Sequence, residues 1–366
     1  ELDKMLRRKY LHQRLKHLDV LIIDEVSMLS PAVFEMIDRV LRAFKKSTEP
    51  FGGLQVVLTG DFFQLPPVTK SRNIELRFIF QTNLWESLGL KVCYLTETYR
   101  FEDESLLDLL CEIRRADLSE DSFDVLKSCY ENQPDIGCEI TKLYTHNVAV
   151  DDLNYQKLEA LPGLSTNFFA KVTGAKTYHE KIFQSSLVLP HLELKRGALV
   201  IFIKNNYEVG FVNGTLGTVV DFDLEGWPIV ETADGKEIVA KPMDWVTEDE
   251  MGKVKATVHQ VPLRLAWAIT VHKSQGMTLD AAEIDLSKAF EPGQGYVALS
   301  RIKTLSGLKL KGFNTMALMV DPLVLLVNNE LERRSNLTES KWDELGTAQQ
   351  EQLQNLWLWR VGESRA

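Results

Sequence analysis

The stretch LDVLIIDE, residues 18–25, is an apolar run that ends in two carboxylates. This pattern is typical of a buried parallel strand that delivers acidic side chains at its carboxyl end. Residues 30–46 follow with apolar side chains at helical spacing, with Ser30 as the N-cap and Pro31 at the first helical position. A second apolar run, LQVVLTGD at residues 54–61, again ends in a carboxylate. Strand, helix and strand therefore predict one crossover unit of an α/β sheet, with ligands expected at the carboxyl ends of its strands.

Composition narrows the class of protein. The chain has 366 residues, 45% of them hydrophobic, which is enough for two or three domains with cores of their own. Its apolar runs fall far short of the ~20 residues of a membrane helix, and its charged first residues lack a signal core. We therefore expect an intracellular protein with no membrane partner. A net charge of −10 means that any nucleic acid must bind in a local groove. The four cysteines form no C-x-x-C pair and are expected to be reduced thiols.

Further along, the pattern divides the chain into a second α/β region and a β-rich segment. Residues 102–126 have helical, mixed-charge spacing, and residues 143–154 are typical of a strand that runs into a loop and a helix. Between residues 197 and 261, short apolar runs alternate with turns rich in Asn, Asp and Gly, which predicts a small β-barrel. Because residues 263–276 return to α/β character, the barrel is predicted to be inserted in the second lobe.

Two groups of polar residues at the predicted strand ends could carry chemistry. Asp24 and Glu25 fit a nucleotide hydrolase, in which one carboxylate holds hydrated Mg²⁺ and the next polarises the attacking water. An acid pair that merely ends a strand is the alternative. Gln64, beyond the second strand, could bond both the terminal phosphate and the attacking water, and Pro66 and Pro67 would stiffen its loop. The alternative for this segment is a rigid strand exit.

The same segment resembles a known family. Residues 24–68, from DEVSM to QLPPV, are similar to the Walker B motif, the signature segment and the third helicase motif of Pif-type (petite integration frequency) DNA helicases. These belong to superfamily one, B class, and are related to the RecD branch. The resemblance covers roughly residues 15–325, and the length and order of its motifs make it specific. The further motifs are ETYR at 97–100, LYTHN at 143–147, NGTLGTVV at 213–220, AWAITVHKSQGMTLD at 266–280 and GQGYVALSRIKTLSGL at 293–308.

This resemblance implies an α/β fold of tandem RecA-like P-loop NTPase lobes, with the first lobe truncated and a small SH3-like β-barrel inserted in the second. Nucleotide binding would close the two lobes, and hydrolysis would open them. The expected divisions are residues 1–101 for the carboxy-terminal part of the first lobe, 102–194 and 262–327 for the second lobe, 195–261 for the barrel and 328–366 for a helical tail.

The resemblance also implies nucleotide-binding residues. Arg100 and Arg301 would reach the γ-phosphate from the interface between the lobes, where a guanidinium can grip two phosphate oxygens and neutralise transition-state charge. Tyr296, in the same motif as Arg301, would lie near the nucleotide. From the residues alone, the alternatives are a surface ion pair for either arginine and a core position for the tyrosine.

A second set of residues is implied to contact single-stranded DNA. The VHKSQG segment offers short donors for phosphate oxygens, and Gln275 and Gly276 permit close backbone approach. The alternative for His146 is a strand-end histidine, and that for Asn213 and Gly214 is a simple turn. The DNA-contacting residues that the family implies are His146, Asn147, Asn213, Gly214, Thr270, His272, Lys273 and Ser274.

One element of such a motor is missing from the sequence. A P-loop, G-x-x-x-x-G-K-[ST], should precede the Asp24 strand by about a hundred residues, and its lysine and backbone amides would cradle the phosphates. Only 23 residues precede Asp24. We therefore expect the P-loop on an amino-terminal segment outside this chain, and we expect this chain alone to be inactive.

The leading prediction is an ATP- and Mg²⁺-dependent DNA helicase that acts on forked or structured DNA and is monomeric. The family resemblance implies that it moves 5′ to 3′ on single-stranded DNA. Its expected setting is genome maintenance, meaning DNA repair, recombination, replication and telomeres. If the source is a eukaryote, the expected compartment is the nucleus, the mitochondrion or both. The alternative is a catalytically inactive nucleic-acid-binding module or fragment that lacks the P-loop. The phosphate-facing groups named above argue against it, because an inactive motor has no need of them.

Overall fold

The structure is a computed structural model that describes residues 5–7, 11–12, 15, 17–67, 77–134, 139–146, 150–249 and 253–363, without the side chains of residues 356–363. Strand β1 (Val20–Ile23), helix α1 (Pro31–Lys45) and strand β2 (Gln55–Leu58) form the first unit. The two strands are parallel, with Val20 opposite Gln55 and Ile23 opposite Leu58. The crossover unit predicted from the sequence is therefore confirmed.

The remaining helices and strands follow in chain order. The segment up to the first strand of the second sheet holds α2 (Asn83–Ser87), α3 (Glu104–Arg115), α4 (Glu120–Ser128) and β3 (Thr141–Tyr144). The next holds α5 (Val150–Ala160), β4 (Thr166–Phe169), β5 (Lys171–Gly174), α6 (Lys176–Ser185), β6 (His191–Leu194), β7 (Leu199–Phe202), β8 (Leu216–Phe222), β9 (Pro228–Thr232), β10 (Glu237–Val239), β11 (Met243–Glu248), β12 (Val254–Gln260) and β13 (Leu263–Leu265). The last holds β14 (Ala268–Thr270), α7 (Val271–Ser274), β15 (Ala282–Leu286), α8 (Gln294–Leu299), β16 (Leu308–Phe313), α9 (Pro322–Asp343) and α10 (Thr347–Glu363).

Helix α1 begins and packs as its sequence predicts. The Ser30 hydroxyl accepts a hydrogen bond from the Val33 backbone N–H at 3.4 Å, and Pro31 occupies the first turn. Phe34 is fully buried, with its ring 5.4 Å from that of Phe51 in an edge-on contact. Truncation of either ring to alanine would cost about 3–5 kcal/mol of stability, so this contact anchors the helix to the loop before β2.

The two faces of the β1–β2 sheet differ in exposure. Leu21 and Ile23 pack against the buried cluster around Phe34. On the other face, Ile22 is 67% exposed and Val57 is 36% exposed. Because side chains alternate between the faces of a sheet, one face is core and the other is an apolar surface.

A four-stranded parallel sheet in the order β14–β3–β15–β16 forms the second α/β region. Strands β3 and β14 are neighbours although the β-rich segment lies between them in sequence, so this region is built from two parts of the chain. The side-chain amide of Asn154 holds the join, since it donates to the Ala268 carbonyl and accepts from the Ala268 N–H, both at 2.9 Å.

Among its described residues, the β-rich segment is built from three antiparallel sheets. Their orders are β10–β9–β8–β7–β13, β11–β12–β5 and β4–β6. Strands β7 to β10 coincide with short apolar runs that the sequence predicts as strands. The structure adds β4, β5 and β6 from before residue 195 and β13 from after residue 261, because their backbone groups pair within these sheets. The closed barrel and its limits at 195–261 stay a prediction.

The main apolar core runs through the second α/β region and the β-rich segment, and it reaches the loop after β2 through Phe63 and Leu65.

Helix α9 begins at Pro322, before the predicted tail, because Asp321 caps it by accepting from the Leu323 N–H at 2.9 Å. Among the residues that the structure describes, no helix combines the length and the apolar character that crossing a membrane requires.

Candidate functional site

The carboxyl ends of β1 and β2 bring two loops together. Backbone hydrogen bonds from the Thr59 N–H to the Ile23 carbonyl at 2.9 Å and from the Val26 N–H to the Thr59 carbonyl at 3.0 Å join them. Asp24 Oδ1 accepts from the Thr59 hydroxyl and from the Glu25 backbone N–H at 2.9 Å. These bonds, that of Thr59 first, hold the pKa of Asp24 below its usual range. The Asp24 carboxylate is therefore ionised at neutral pH and oriented.

The backbone of Glu25 lies in the left-handed region, with φ 51° and ψ 47°. This conformation costs about 1–2 kcal/mol for a residue that has a Cβ. The facing loop packs closely on the turn, because a Cβ on Gly60 would lie 2.8 Å from the Val26 backbone nitrogen. Close packing of the two loops thus holds a strained turn at the end of β1, a feature that is concentrated at functional sites.

Residues 59–67 form the loop that carries Gln64. Phe63 and Leu65 are buried and anchor the loop in the main core. The Gln64 side chain is half-buried, and its Oε1 accepts from Nε2 of Gln275 at 3.2 Å. The amide predicted to sense the nucleotide therefore contacts the segment predicted to touch DNA.

Arg100 and Arg301 meet at Ser300. Nη1 of Arg100 donates to the Ser300 carbonyl at 3.1 Å, and Nη2 of Arg301 donates to the Ser300 hydroxyl at 2.8 Å. Arg301 is only 2% exposed. Burial, and after it the charge of Arg100, lowers the pKa of Arg301 to about 10, while the carboxylates of Glu25 and Asp61 act in the opposite direction. The two arginines thus lie together, and Arg301 is within electrostatic reach of carboxylates from the ends of both β1 and β2.

Asp61, Arg114 and Tyr296 form a closed arrangement that we call the Asp61 triangle. Oδ2 of Asp61 accepts from Nη1 of Arg114 at 2.7 Å and from the Tyr296 hydroxyl at 2.9 Å, and the same arginine nitrogen donates to the tyrosine oxygen at 2.9 Å. Burial, and after it the charge of Asp61, raises the pKa of Tyr296. The hydroxyl of Tyr296, a residue expected near the nucleotide, is therefore engaged here.

Sequence reasoning missed two members of this triangle. Asp61 was visible only as a carboxylate that ends the second strand, and its partner could not be identified. Arg114 lies in a helix of mixed charge, where an arginine carries no signal of its own.

The carboxyl ends of β3, β14 and β15 lie at one edge of the four-stranded sheet, because the strands are parallel. His146, which follows β3, is exposed, and its ring centroid is 4.7 Å from that of Phe290, which is 54% exposed. The Thr145 hydroxyl donates to the Lys288 carbonyl at 3.3 Å and lies 2.9 Å from Nδ1 of His146. This edge therefore presents an imidazole and a phenyl ring side by side.

Helix α7 uses two of the predicted DNA contacts for its own folding. The Thr270 hydroxyl oxygen accepts from the Lys273 N–H at 3.3 Å, and the Ser274 hydroxyl donates to the Val271 carbonyl at 2.8 Å. Thr270 and Ser274 are both buried, whereas His272 and Lys273 are half-buried. Burial lowers the pKa of His272 and also that of Lys273. All four residues stay predictions as DNA contacts, and only His272 and Lys273 reach the surface with their side chains.

Gly214 packs against the loop after α7, whereas Asn213 bonds within the β-rich segment. Gly214 has φ 104°, and a Cβ there would lie 3.0 Å from the Thr278 carbonyl oxygen, so the turn requires glycine. The Asn213 N–H donates to Oδ1 of Asn205 at 2.7 Å. Asn147, the remaining predicted DNA contact, lies outside the described residues, so its role also stays a prediction.

Comparison with known proteins gives two family matches. The description "PIF1-like helicase" matches residues 1–113, and "DNA helicase Pif1, 2B domain" matches residues 177–222. An ATP-dependent DNA helicase Pif1 of Psychrobacter sp. (strain PRwf-1) is 38% identical over 382 residues, which cover 88% of this chain and 58% of the relative. The chain thus spans little more than half the length of this curated relative.

Solved structures agree with the sequence matches. Bacteroides sp Pif1 in complex with ADP-AlF4 superposes with a TM-score of 0.79 at 30% identity, over 90% of this chain and 79% of that chain. Bacteroides Pif1 bound to ssDNA gives a TM-score of 0.61 at 32% identity, over 90% of this chain and 79% of that chain. The mixed α/β class with RecA-like lobes, predicted from the sequence, is confirmed by this likeness. The conserved architecture and the sequence identity together show that the chain belongs to the PIF1-like helicase family.

Proposed function

We propose that this chain is the carboxy-terminal part of an ATP-dependent DNA helicase motor that moves 5′ to 3′ along single-stranded DNA. The observation that carries the proposal is the convergence of Glu25, Arg100 and Arg301. Arg100 and Arg301 both bond Ser300, at 3.1 and 2.8 Å. Burial and then the charge of Arg100 lower the pKa of Arg301, and the Glu25 carboxylate at the end of β1 acts against this lowering. An acid and two guanidinia drawn from distant parts of the chain are the groups that a reacting triphosphate requires.

Asp24 is the group best suited to Mg²⁺. Its carboxylate is oriented by Thr59 and Glu25 and keeps its charge at neutral pH. Mg²⁺ prefers oxygen ligands, retains several waters and is commonly held through one or two carboxylates together with phosphates, so the donor set fits. When bound with ATP, the ion would neutralise charge on the phosphates.

The remaining groups divide the work of hydrolysis. Glu25 would polarise the attacking water, and the Gln64 amide would bond both this water and the γ-phosphate. Arg301 has a charge that burial disfavours, so a phosphate anion would stabilise it strongly. Arg100, held at the Ser300 carbonyl, would add a second guanidinium at the same phosphate.

Single-stranded DNA would cross the edge of the four-stranded sheet at His146, Phe290 and His272. Exposed rings such as those of His146 and Phe290 can stack on bases of any sequence. The binding of ssDNA by the Bacteroides relative supports this class of ligand. Further proposed contacts are Asn147, Asn213, Gly214, Thr270, Lys273 and Ser274.

The apolar outer face of the β1–β2 sheet supports a further part of the proposal. Parallel sheets normally have both faces covered, yet Ile22 is 67% exposed and Val57 is 36% exposed. We propose that an amino-terminal segment with the P-loop packs on this side and completes the nucleotide site. The protein with this segment would hydrolyse ATP, and the 366-residue chain alone would not. We propose that the complete protein works as a monomer on forked or structured DNA.

Genome maintenance is the setting that we propose for this motor. Paired or folded DNA must be opened in DNA repair, recombination and replication and at telomeres, and a translocating motor supplies that opening. In a eukaryotic cell the DNA-containing compartments are the nucleus and the mitochondrion, and either would be the site of action.

Phosphate release by the complete protein, measured with and without single-stranded DNA, tests the proposal. We expect DNA to stimulate release, and we expect the isosteric variant Glu25→Gln to show almost none. Unwinding of duplexes with a 5′ rather than a 3′ single-stranded tail tests the polarity. A complete protein that binds DNA but releases no more phosphate than Glu25→Gln would refute the motor. It would support the alternative, an inactive nucleic-acid-binding module.

A further inference from the structure

The Asp61 triangle connects the loop that carries Gln64, helix α8, which precedes Arg301, and helix α3, which carries Arg114. Asp61 lies on the loop that also carries Gln64. Tyr296 lies on α8, and the chain reaches Arg301 immediately after this helix. Arg114 lies in the last turn of α3 and joins the two, since its Nη1 donates to Asp61 at 2.7 Å and to Tyr296 at 2.9 Å. A charge-assisted bond thus ties the loop and the helix to one guanidinium.

Phe63 closes this arrangement from the side of the loop. The Arg114 guanidinium carbon is 4.3 Å from the centroid of the Phe63 ring and 5.5 Å from that of Tyr296. The Phe63 and Tyr296 rings are in edge-on contact at 6.4 Å. At the start of α8, a Cβ on Gly293 would lie 2.7 Å from the Phe63 carbonyl oxygen, so the loop and the helix touch through their backbones. The loop cannot slide along α8 without displacing the guanidinium.

We propose that Arg114 is a positioning residue that keeps the Gln64 loop in register with the segment that carries Arg301. It holds the loop through Asp61 and the helix through Tyr296. The expected effect on turnover rests on the proposed function, whereas the positioning of the loop does not.

By holding both the loop and the helix, Arg114 would fix the position of Gln64 relative to Arg301, and these two groups would approach the phosphate from different sides. Gln64 and Arg301 must be correctly placed at the same moment, and a displacement of about 1 Å in such a group can lower a rate by about 10²-fold. Loss of Arg114 leaves the Asp61 carboxylate without its cation and the Tyr296 hydroxyl with one partner instead of two. Nucleotide affinity depends on the rest of the site, so kcat should fall while KM stays near its original value.

The test compares Arg114→Gln with Arg115→Gln, an exposed arginine next to it on the same helix, in the complete protein. We expect Arg114→Gln to lower kcat of DNA-stimulated hydrolysis by about 10- to 100-fold, with KM for ATP within about twofold. Amide hydrogen exchange, followed by mass spectrometry, should become faster in residues 59–67 and 294–301. Arg115→Gln should keep wild-type values in every measurement. Tyr296→Phe, which retains the ring and loses the hydroxyl, should give intermediate values.

Three results would overturn the inference. One is identical exchange and kcat in Arg114→Gln and Arg115→Gln. Another is a lower kcat with unchanged exchange in both segments, because Arg114 would then act in some way other than positioning. The third result applies if Arg114→Gln does not fold. In that case, wild-type kcat and wild-type hydrogen exchange in Tyr296→Phe would overturn the inference. A wild-type protein that releases no phosphate refutes the proposed function instead, and the exchange comparison still decides the role of Arg114.

Discussion

Replacing Arg301 by methionine is expected to remove turnover without lowering thermal stability. Burial, and after it the charge of Arg100, lowers the pKa of this guanidinium from its ordinary value to about 10. Because the unfolded chain holds the proton more tightly, the folded state carries this charge at a cost at every pH below 10. The cost is relieved only as pH rises from there towards the higher pKa of an arginine in the unfolded chain. At about 1.4 kcal/mol per pKa unit, it amounts to about 3 kcal/mol at neutral pH.

The hydrogen bonds that methionine gives up offset only part of this gain. The Val297 carbonyl loses the bond from Nε of Arg301 but keeps a 3.0 Å bond from the Ser300 hydroxyl. Nη2 also loses its 2.8 Å bond to the Ser300 hydroxyl, and the bond from Nη1 to the Met277 carbonyl is long, at 3.4 Å. We assign about 1–2 kcal/mol to these losses. The net change is a stabilisation of about 1–2 kcal/mol, which for a chain of this size corresponds to a Tm about 1–3 °C above the wild-type value.

Thermal denaturation of the complete protein measures the stability, and DNA-stimulated phosphate release measures the turnover, which should fall by about 10³-fold. Arg114→Met is the matched contrast. Burial lowers the pKa of Arg114 but the charge of Asp61 raises it, for a net rise, so losing this guanidinium should lower Tm. A Tm for Arg301→Met more than about 3 °C below wild type would refute the claim that its charge is poorly compensated. Retained turnover would refute its role at the phosphate.

Three further substitutions test other parts of the site. Glu25→Gln should lower hydrolysis by about 10²–10⁴-fold because only the general base is lost, and loss of affinity in a nucleotide titration would contradict this role. His272→Ala should weaken binding of single-stranded DNA, yet leave the slope of log K against log salt unchanged near neutral pH. Burial lowers the pKa of His272 and keeps the ring neutral, so a shallower slope would contradict its neutral state. Gly214→Ala should lower Tm by more than Gly226→Ala. Both have positive φ, but only Gly214 would bring a Cβ to 3.0 Å from the Thr278 carbonyl, whereas a Cβ on Gly226 meets no described atom within 4 Å. Equal losses in a thermal melt would remove the contact as the cause.

Local patterns predicted several elements correctly because their physical causes are local. Apolar runs that end in acids identified β1 and β2, and Ser30 with Pro31 located the start of α1. Short runs between turns identified strands β7 to β10. The limits of the β-rich segment could not be predicted from local patterns. They depend on which strands pair, and β4, β5, β6 and β13 pair through contacts that no local pattern contains.

The sequence by itself determined the α/β class and the acids at the strand ends, because both follow from residue type and spacing along the chain. The family came from the resemblance of the ordered motifs. Only the tertiary structure decided which side chains meet. Arg114 lies 53 residues from Asp61 and 182 from Tyr296, yet one nitrogen bonds both. The structure likewise turned the hydroxyls of Thr270 and Ser274 inward, where they bond the backbone of their own helix. The direction and partner of a polar group depend on packing between elements, and chain spacing carries no information about that packing.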